Sequence, residues 1–369
     1  MALNAHLLSG QASYRSAGIH HYIHHLIHHL GAATEGMQFT ALVGATAEVP
    51  ETGASVIRAK WDTSSPWRRM VWEQFRLPRV TRRIGADVTH SPAFVGPLVS
   101  VVPVVTTIHD LSFVRFPQLF RPTNRLYLRT MTRLSARRSS RLIAVSEHTA
   151  RESRQLLQVK PDKITVIYHG VDSRFRPLPA DEVITFRETH GLPERFVLFV
   201  GTLEPRKNLL RLIEAFRRAE LGETKLMLVG GSGWLYDDLF SRVDELGLGD
   251  TVRFPGYVSN DELVHWYNAA AVFAYPSLYE GFGMPVTEAQ ACGTPVLASS
   301  TTSLPEAAGD AAVLVDPEDV DAIAAGLRRL LEDEGLRQEL SDRGQEHARS
   351  FTWASTARQT AEVYRDAGA

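Results

Sequence analysis

Short runs of β-branched and aliphatic residues alternate with amphipathic helical segments along almost the whole chain. The alternation pauses between residues 172 and 193 and then restarts. The runs lie at 40–43, 87–90, 104–108 and 141–145 in the first half and at 196–201, 225–230, 252–254, 272–275 and 294–298 in the second. Strands that alternate with helices are typical of βαβ units, whose strands form parallel sheets. The sequence therefore predicts an α/β protein.

Residues 172–193 separate the two series and are interpreted as an interdomain connection. The segment is rich in proline and charge and has no strand character. A chain of 369 residues is also too long for one ordinary core. We expect two Rossmann-like domains, one at 1–178 and one at 179–353. An amphipathic segment at about 354–369 is able to pack back on the first domain.

The composition indicates a folded protein of the cytoplasm. Apolar residues make up 44% and charged residues 22% of the chain, which is the mix of a soluble folded protein. Cys292 is the only cysteine, which excludes an intrachain disulfide and suits a reducing compartment. The N-terminus has no basic segment followed by an apolar one, and prolines and a glycine interrupt the longest apolar stretch, 95–108. We expect neither export nor a membrane-spanning helix.

The formal net charge of −2 hides a strong polarity along the chain. Residues 1–180 carry 23 Lys and Arg against 11 Asp and Glu, whereas 181–369 carry 17 against 31. In the first half, arginines recur every four residues and line one face of a predicted helix; they are Arg121, Arg125, Arg129, Arg133 and Arg137. This asymmetry indicates an anionic partner, such as a phospholipid surface, a pyrophosphate-linked acceptor or nucleic acid. The alternatives are mutual attraction of the two halves and a salt-bridged helix face.

The strongest motif is the segment 280–288, Glu-Gly-Phe-Gly-Met-Pro-Val-Thr-Glu. Its two glycines let the backbone approach a ligand closely, and Pro285 suits the first turn of a helix, whose N-terminus favours an anion. Glu280 and Glu288 are then able to bracket one ligand and accept hydrogen bonds from vicinal hydroxyls of a sugar or ribose. The structural alternative places Glu288 favourably near the start of the helix dipole but leaves Gly-Phe-Gly unexplained.

A second motif, Val-Gly-Thr-Leu-Glu-Pro-Arg-Lys-Asn at 200–208, also lies where a predicted strand becomes a helix. Arg206 and Lys207 would stand at a helix N-terminus, where the dipole opposes cations. A diphosphate ligand resolves this conflict. Cations, carboxylates and amides together form a clamp that stabilises the charge on a nucleotide diphosphate while a glycosidic bond breaks. The two motifs therefore indicate a transferase that uses a sugar nucleotide.

These motifs resemble those of glycosyltransferase family four, the retaining GT-B enzymes that include many bacterial mannosyltransferases. The family's pair of glutamates separated by seven residues is matched by Glu280 and Glu288, and its Arg-Lys pair by Arg206 and Lys207. Gly18 matches its glycine-rich first loop in part. The resemblance covers nearly the whole chain. It implies a GT-B fold, in which two doubly wound parallel-sheet domains face each other across a cleft.

The resemblance also implies that the domain at 1–178 binds the acceptor and that the domain at 179–353 binds the donor. It further implies roles for individual residues. Glu280 is expected to hold the hydroxyls of the donor hexose, Glu288 the ribose, and Arg206 and Lys207 the diphosphate. The donor-binding set implied in this way is Gly18, Phe282, Gly283, Met284, Pro285 and Glu288.

His109 is the candidate catalytic residue of the first half. It follows the predicted strand 104–108, where the family often places a histidine near the anomeric centre of the sugar. A buried histidine with only a packing role is the alternative. The first loop, 16–20, departs from the family pattern because Ala17 replaces one expected glycine and a histidine follows Ile19.

By the resemblance we expect a retaining hexosyltransferase that moves mannose from GDP-mannose to a hydroxyl of a lipid-linked or polysaccharide acceptor. The leaving phosphate would help to deprotonate the acceptor, so no general base is assigned. The alternatives are a UDP-sugar-dependent transferase of the same fold and a non-catalytic sugar-nucleotide-binding subunit. A dinucleotide-dependent oxidoreductase is disfavoured because no predicted strand is followed by Gly-x-Gly-x-x-Gly.

No cofactor and no metal are expected, since the nucleotide sugar is itself a substrate. Asp319-Val-Asp321 fits the acidic first turn of a helix. The histidine pairs within 20–29 are interpreted as the outer face of an apolar helical stripe, with a metal site as the alternative. We expect a cytoplasmic enzyme whose basic half makes peripheral contact with the anionic inner face of the membrane, and no nucleic-acid partner.

Overall fold

A computed structural model describes residues 1–8, 17–33, 36–45, 47–51, 54–59, 66–231 and 237–368. The chain divides into two compact units. The first unit is Met1–Gly170 together with the segment from Thr352 onward, and the second is Val171–Phe351.

The division lies nearer the N-terminus than the boundary expected at residue 178. Within the second unit, the Val171 amide donates to the Phe351 carbonyl at 3.0 Å and the Leu178 amide to Asn268 Oδ1 at 2.8 Å. These hydrogen bonds tie the first part of the proline-rich connection to the second unit, which the composition of the connection does not reveal.

Each unit contains one parallel β-sheet. The first sheet has seven strands in the order β3-β2-β1-β4-β5-β6-β7 and the second has six in the order β10-β9-β8-β11-β12-β13. The strands are β1 (Ala2–Ala5), β2 (Thr40–Val43), β3 (Ser55–Arg58), β4 (Thr89–Ser91), β5 (Val104–Ile108), β6 (Arg141–Ala144), β7 (Ile164–Val166), β8 (Phe196–Val200), β9 (Lys225–Val229), β10 (Val252–Gly256), β11 (Val272–Tyr275), β12 (Val296–Ser299) and β13 (Ala312–Val315).

Helices connect the strands. They are α1 (Ala17–Ala33), α2 (Pro66–Val71), α3 (Leu77–Arg83), α4 (Ser112–Arg115), α5 (Pro122–Arg138), α6 (Glu147–Glu152), α7 (Ala180–Thr189), α8 (Leu209–Ala219), α9 (Asp237–Glu245), α10 (Asn260–Ala269), α11 (Met284–Ala291), α12 (Leu304–Ala308), α13 (Val320–Glu332), α14 (Glu334–Ala348) and α15 (Trp353–Gly368). None of the described helices is both long and apolar enough to cross a membrane.

The two sheet orders share one topology, which confirms the predicted α/β class with doubly wound parallel sheets. In both sheets the chain first forms a strand near the middle and adds the next two strands toward one edge. It then returns to the middle and adds the remaining strands toward the other edge. The strand order therefore reverses between β1 and β4 in one sheet and between β8 and β11 in the other. Ligands of open parallel sheets bind at the carboxyl ends of the strands beside such a reversal. Strands β8 and β11 are buried along their whole length, as expected for strands covered on both faces.

The closing helix α15 packs on α1 in the first unit. Tyr364 donates or accepts a hydrogen bond with His90 Nδ1 at 2.7 Å, and Thr356 Oγ1 donates to the Tyr168 carbonyl at 2.8 Å. A Cβ atom on Gly170 would lie 2.1 Å from Trp353 N. Only glycine therefore lets the two chain segments pass this closely at the edge of the unit.

Candidate active site

The Arg206-Lys207 pair lies in a short turn, Pro205–Lys207, between β8 and α8 of the second unit. Asn208 follows in a left-handed conformation with a φ of 63°. Its side-chain amide donates to the carbonyls of Pro276 and Pro317 at 3.0 and 2.6 Å. Those carbonyls follow β11 and β13, so Asn208 fastens the turn to two other strand ends of the sheet.

Glu280 joins the two cations across the sheet. Its Oε1 accepts a hydrogen bond from Lys207 Nζ at 2.6 Å, and its Oε2 accepts one from Arg206 Nη1 at 2.9 Å. Lys207 Nζ also donates to the hydroxyl of Tyr275 at 2.6 Å. Lys207 and Glu280 are each 7% exposed. The structure thus brings together three of the residues named from the sequence, as a buried cluster beside the strand-order reversal.

A second carboxylate, Glu204, completes this cluster. Glu204 Oε1 accepts from Arg206 Nε at 2.9 Å and from Arg206 Nη2 at 2.6 Å. Sequence reasoning missed its role, although it lies only two residues before Arg206 in the same motif. Two carboxylates of the protein therefore already provide the two cations with counter-charges. Binding of a diphosphate by Arg206 and Lys207 stays a prediction. We call these four side chains, Glu204, Arg206, Lys207 and Glu280, the charge cluster.

The charge cluster shifts the ionisation of its members. Burial opposes ionisation of Glu280, but the Arg206 and Lys207 charges outweigh it and lower the pKa of Glu280 to about 2. Burial lowers the pKa of Lys207, and the neighbouring Glu280 charge offsets part of that effect. At neutral pH Glu280 is a carboxylate, and the charge cluster combines two acidic with two basic side chains.

The segment that follows Glu280 packs closely against Leu304, and the predicted approach of its backbone to a ligand stays a prediction. Gly283 has a φ of 110° at the start of α11, and a Cβ atom there would lie 2.6 Å from Leu304 Cδ2. Pro285 lies in the first turn of α11 as predicted. Ser303 Oγ donates to the carbonyls of Glu280 and Phe282 at 3.0 and 2.9 Å. Leu304 and Ser303 therefore hold the segment from one side, and Met284 begins the helix.

Glu288 lies one turn into α11, as predicted, but outside the charge cluster. It is half-buried, and its Oε2 accepts a hydrogen bond from Tyr267 at 3.0 Å. Burial raises the pKa of Glu288 to about 7, against the Tyr267 hydrogen bond, which lowers it. This carboxyl group therefore changes its charge near neutral pH, unlike Glu280.

His109 follows β5 in the first unit and is 7% exposed. Its Nε2 lies 2.7 Å from the Pro92 carbonyl. Tyr22, His169 and Phe94 place their rings against the imidazole, with centroids 4.9, 5.4 and 5.9 Å away. Burial lowers the pKa of His109, so the ring is neutral at pH 7.

Gly18 lies in the first turn of α1 and is exposed. Ser16 of the first loop lies outside the described residues. The stripe of Tyr22, Ile23, Leu26, Ile27 and Leu30 on α1 is buried, as predicted. In the described part of the chain, no group of three or more His, Cys, Asp or Glu side chains is placed to hold a metal ion.

Comparison with known proteins gives matches over both units. The family described as Glycosyl transferases group 1 matches residues 181–347, and the one described as Glycosyltransferase Family 4 matches residues 16–175. The O-antigen chain mannosyltransferase B of Escherichia coli is 34% identical over 282 residues, which cover 75% of this chain and 73% of that protein. The D-inositol 3-phosphate glycosyltransferase of Salinispora arenicola is 36% identical over 287 residues, 72% of this chain and 64% of that protein.

Among solved structures, sucrose-phosphate synthase from Thermosynechococcus elongatus has a TM-score of 0.77 to this chain at 23% identity. The match covers 99% of this chain and 98% of that one. This similarity concerns the fold alone, and it confirms the predicted GT-B class.

Proposed function

Because the chain belongs to glycosyltransferase family 4 and is a hexosyltransferase, we propose that it is a retaining mannosyltransferase that uses GDP-mannose as donor. The acceptor in this proposal is a hydroxyl group of a lipid-linked glycan or a polysaccharide. The observation that carries the proposal is the charge cluster, which places the buried Lys207, the half-buried Arg206 and the Glu280 carboxylate beyond the carboxyl ends of β8 and β11. Mannose is preferred because a relative named as a mannosyltransferase is similar over three quarters of the chain.

In this proposal the second unit binds the donor. Arg206 and Lys207 stabilise the negative charge that develops on the diphosphate as the glycosidic bond breaks. Glu280 accepts hydrogen bonds from the hexose hydroxyls, and Glu288 accepts them from the ribose. The segment Phe282–Pro285, with Gly283 at its centre, lets the backbone approach the donor. In the first unit, His109 is the proposed catalytic residue and Gly18 a proposed donor-binding residue. The leaving phosphate helps to deprotonate the acceptor. No metal takes part in the proposed reaction.

A thermal-shift panel tests the choice of donor. We would measure unfolding with GDP, UDP, ADP and TDP and with their sugar conjugates, for the wild type and for Glu288→Ala. A ligand at 100 times its Kd adds about 2.7 kcal/mol, which raises Tm by roughly 5–10 °C for a domain of this size. A shift selective for GDP and GDP-mannose that is lost in Glu288→Ala supports the proposal. A shift selective for UDP overturns the choice of donor and favours the UDP-sugar alternative.

The stereochemistry is tested by NMR of the first sugar released when the enzyme hydrolyses GDP-α-mannose. The α-anomer is expected as the first product of a retaining enzyme, and the β-anomer contradicts retention. Adding EDTA should leave the rate unchanged, whereas a loss that Mg²⁺ or Mn²⁺ restores contradicts metal independence.

One observation favours the non-catalytic alternative. The charge cluster is already neutral without a ligand, which is also what a purely structural ion-pair network requires. Donor hydrolysis that is equally slow in the wild type and in Lys207→Ala would support this alternative. A hydrolysis rate that is about 100-fold or more lower in Lys207→Ala supports catalysis, because removal of one preorganised hydrogen-bond donor from an active site has an effect of this size.

The proposed membrane contact rests on α5. We define the α5 surface as the exposed residues Arg121, Arg125, Leu126, Arg129 and Leu134. Leu126 is 66% exposed between two of the arginines. Basic side chains with an exposed leucine suit an anionic lipid surface, because each arginine near such a surface adds about 1 kcal/mol and the apolar side chain inserts. In the proposal this surface brings the enzyme to its lipid-linked acceptor on the inner face of the membrane.

The α5 surface is tested by co-sedimentation with phosphatidylcholine vesicles that contain or lack phosphatidylglycerol. The double variant Arg125→Gln/Arg129→Gln should bind the anionic vesicles about 30-fold more weakly, which corresponds to about 2 kcal/mol. Arg343→Gln, on the exposed face of α14 in the second unit, is the matched control and should not change binding. Equal binding of both vesicle types by the wild type contradicts the proposal.

A further inference from the structure

A turn at residues 93–95, next to the Pro92 carbonyl that contacts His109, contains a strained residue, Phe94. Five described residues other than glycine have a positive φ: Phe94, Gln158, Asn208, Glu220 and Thr302. A left-handed conformation costs roughly 1–2 kcal/mol for a residue with a Cβ atom. Gln158 and Glu220 end helical segments, and asparagine tolerates this conformation well. Phe94, with a φ of 54°, has neither explanation.

The backbone at Phe94 forms a tight turn. The Val95 amide donates to the Ala93 carbonyl at 2.5 Å, a bond between residues two apart. With a positive φ at the residue between them, this bond is the pattern of the rare and strained form of the γ-turn. The Phe94 amide donates to the Thr107 carbonyl at 2.9 Å, which fixes the turn to the end of β5. Strain of this kind persists only where the surrounding structure imposes it, and it is concentrated at functional sites.

The Phe94 side chain holds the turn in place. Its ring lies edge-on to His109, with centroids 5.9 Å apart, and edge-on to Phe113, with centroids 6.0 Å apart. Phe113 belongs to the buried core of the first unit. The ring is therefore wedged between the core and the imidazole, and the turn presents the Pro92 carbonyl to His109.

The contact with Pro92 fixes the tautomer of His109. A carbonyl oxygen only accepts hydrogen bonds, so the 2.7 Å contact requires the proton on Nε2. In a neutral imidazole the lone pair is then on Nδ1. Tyr22, whose ring meets the imidazole edge-on at 4.9 Å, and Phe94 limit rotation of the ring out of this orientation.

We propose that the strained turn at Phe94 is a positioning device for His109: it fixes the imidazole as the Nε2–H tautomer and leaves Nδ1 to accept a hydrogen bond from a substrate hydroxyl. The last step rests on the proposed function, whereas the tautomer is a property of the protein alone. Phe94 is a positioning residue in this account, since it acts through His109. Thr302 also has a positive φ, of 61°, and its Oγ1 accepts a hydrogen bond from the Glu280 backbone amide at 3.4 Å.

The test is ¹⁵N NMR of protein labelled at histidine, without substrate, in the wild type, Phe94→Gly and Gln158→Gly. The signal of His109 is identified among the 14 histidines as the one missing in His109→Gln. We expect one Nε2–H tautomer in the wild type and in Gln158→Gly, which relieves the same kind of strain in the same unit. In Phe94→Gly the Nδ1–H tautomer should become populated. The wedged ring is lost, and glycine tolerates a positive φ but also allows many other conformations of the turn.

Kinetics provide the second readout. Phe94→Gly should lose about 10-fold to 100-fold in kcat with little change in the donor KM, as expected when a reacting group is misplaced. If Phe94→Gly does not fold, Phe94→Ala, which also removes the wedged ring, replaces it. A wild-type His109 in the Nδ1–H form, or a folded Phe94 variant with unchanged tautomer and kcat, overturns the inference. Absence of transfer by the wild type with every donor overturns the proposed function and leaves the tautomer result standing.

Discussion

Glu280→Gln separates the stability of the charge cluster from its affinity for a ligand. The glutamine oxygen still accepts the hydrogen bond from Lys207, but its amide group faces Arg206 Nη1, which is also a donor. The variant therefore leaves the buried Lys207 without a partner carboxylate, and the charge cluster loses one negative charge. The structure predicts opposite effects of this change on folding and on binding.

The loss of stability follows from burial. Removing one partner of a buried ion pair costs about 3–5 kcal/mol. Lys207 keeps its hydrogen bond to Tyr275, and Arg206 keeps Glu204, so we expect the lower end, about 3 kcal/mol. For a domain of this size that lowers Tm by roughly 6–12 °C. The control is Glu339→Gln, which breaks an exposed ion pair with Arg343 in the same unit and should cost less than about 1 kcal/mol.

The gain in binding follows from the same charge. If the proposed function is correct, a diphosphate competes with Glu280 for Arg206 and Lys207 in the wild type. In Glu280→Gln that competitor is uncharged. One released charge-assisted hydrogen bond corresponds to about 1.5 kcal/mol, so the Kd for GDP should fall about 10-fold. Hexose transfer should nevertheless decrease, since the carboxylate proposed to hold the hexose is lost.

Calorimetric titration with GDP and with inorganic pyrophosphate, together with thermal unfolding, measures both effects. Tighter binding of both ligands by a less stable protein is the expected result. Weaker GDP binding by Glu280→Gln, at a temperature where the variant is folded, would refute the reasoning. It would mean that the diphosphate does not take the place of the Glu280 carboxylate on the two cations.

Three further predictions concern residues of the second unit. The pKa of Glu288 is about 7 instead of 4.5, so the native state holds its proton more tightly and stability falls as the pH rises from about 5 to about 8. In urea unfolding, Glu288→Gln should remove about 1–3 kcal/mol of that fall, and an unchanged pH profile contradicts the shift. Gly283→Ala places a Cβ atom 2.6 Å from a Leu304 methyl group at a φ of 110°; we expect GDP binding to weaken at least about 10-fold in titration, and wild-type affinity contradicts the need for glycine. Asn208→Ala removes two buried hydrogen bonds and places alanine at a φ of 63°. In urea unfolding, the free energy of unfolding should fall by about 2–4 kcal/mol, at least about 1 kcal/mol more than in Asn208→Gly. Equal losses in the two variants contradict a contribution from backbone strain.

The sequence predicts the buried strands best, for a physical reason. Strands β8 and β11 are covered on both faces, and their continuous apolar runs are visible without any partner. Strand β3 was not predicted, because all four of its side chains are exposed at the edge of the sheet. Strand β1 was not predicted either, since Asn4 interrupts its short apolar run. Asn4 is buried because its Oδ1 accepts from Trp72 Nε1 at 3.1 Å, a partner 68 residues away.

The same limit applies to the site. The two motifs predict where Arg206, Lys207 and Glu280 lie, because each motif follows a strand that the sequence identifies. The pairing itself joins residues more than 70 positions apart, and local patterns carry no information on it. Sequence reasoning therefore did not find that Glu280 and Glu204 pair with the two cations, and it considered only an external anion. Whether a diphosphate also binds them stays a prediction. The roles of His109, Glu288 and Gly18 in catalysis or donor binding stay predictions.

The charge cluster changes how the acidic excess of the second half of the chain is interpreted. Residues 181–369 carry an excess of 14 acidic side chains, which would repel a nucleotide diphosphate if net charge decided binding. At physiological ionic strength exposed charges act over about 8 Å, so most of this excess is screened from a bound ligand. The buried cations are not screened in this way, and their availability depends on Glu280 and Glu204. In the proposed function, donor affinity therefore depends on how strongly Glu280 and Glu204 hold the Arg-Lys pair, and not on the net acidity of residues 181–369.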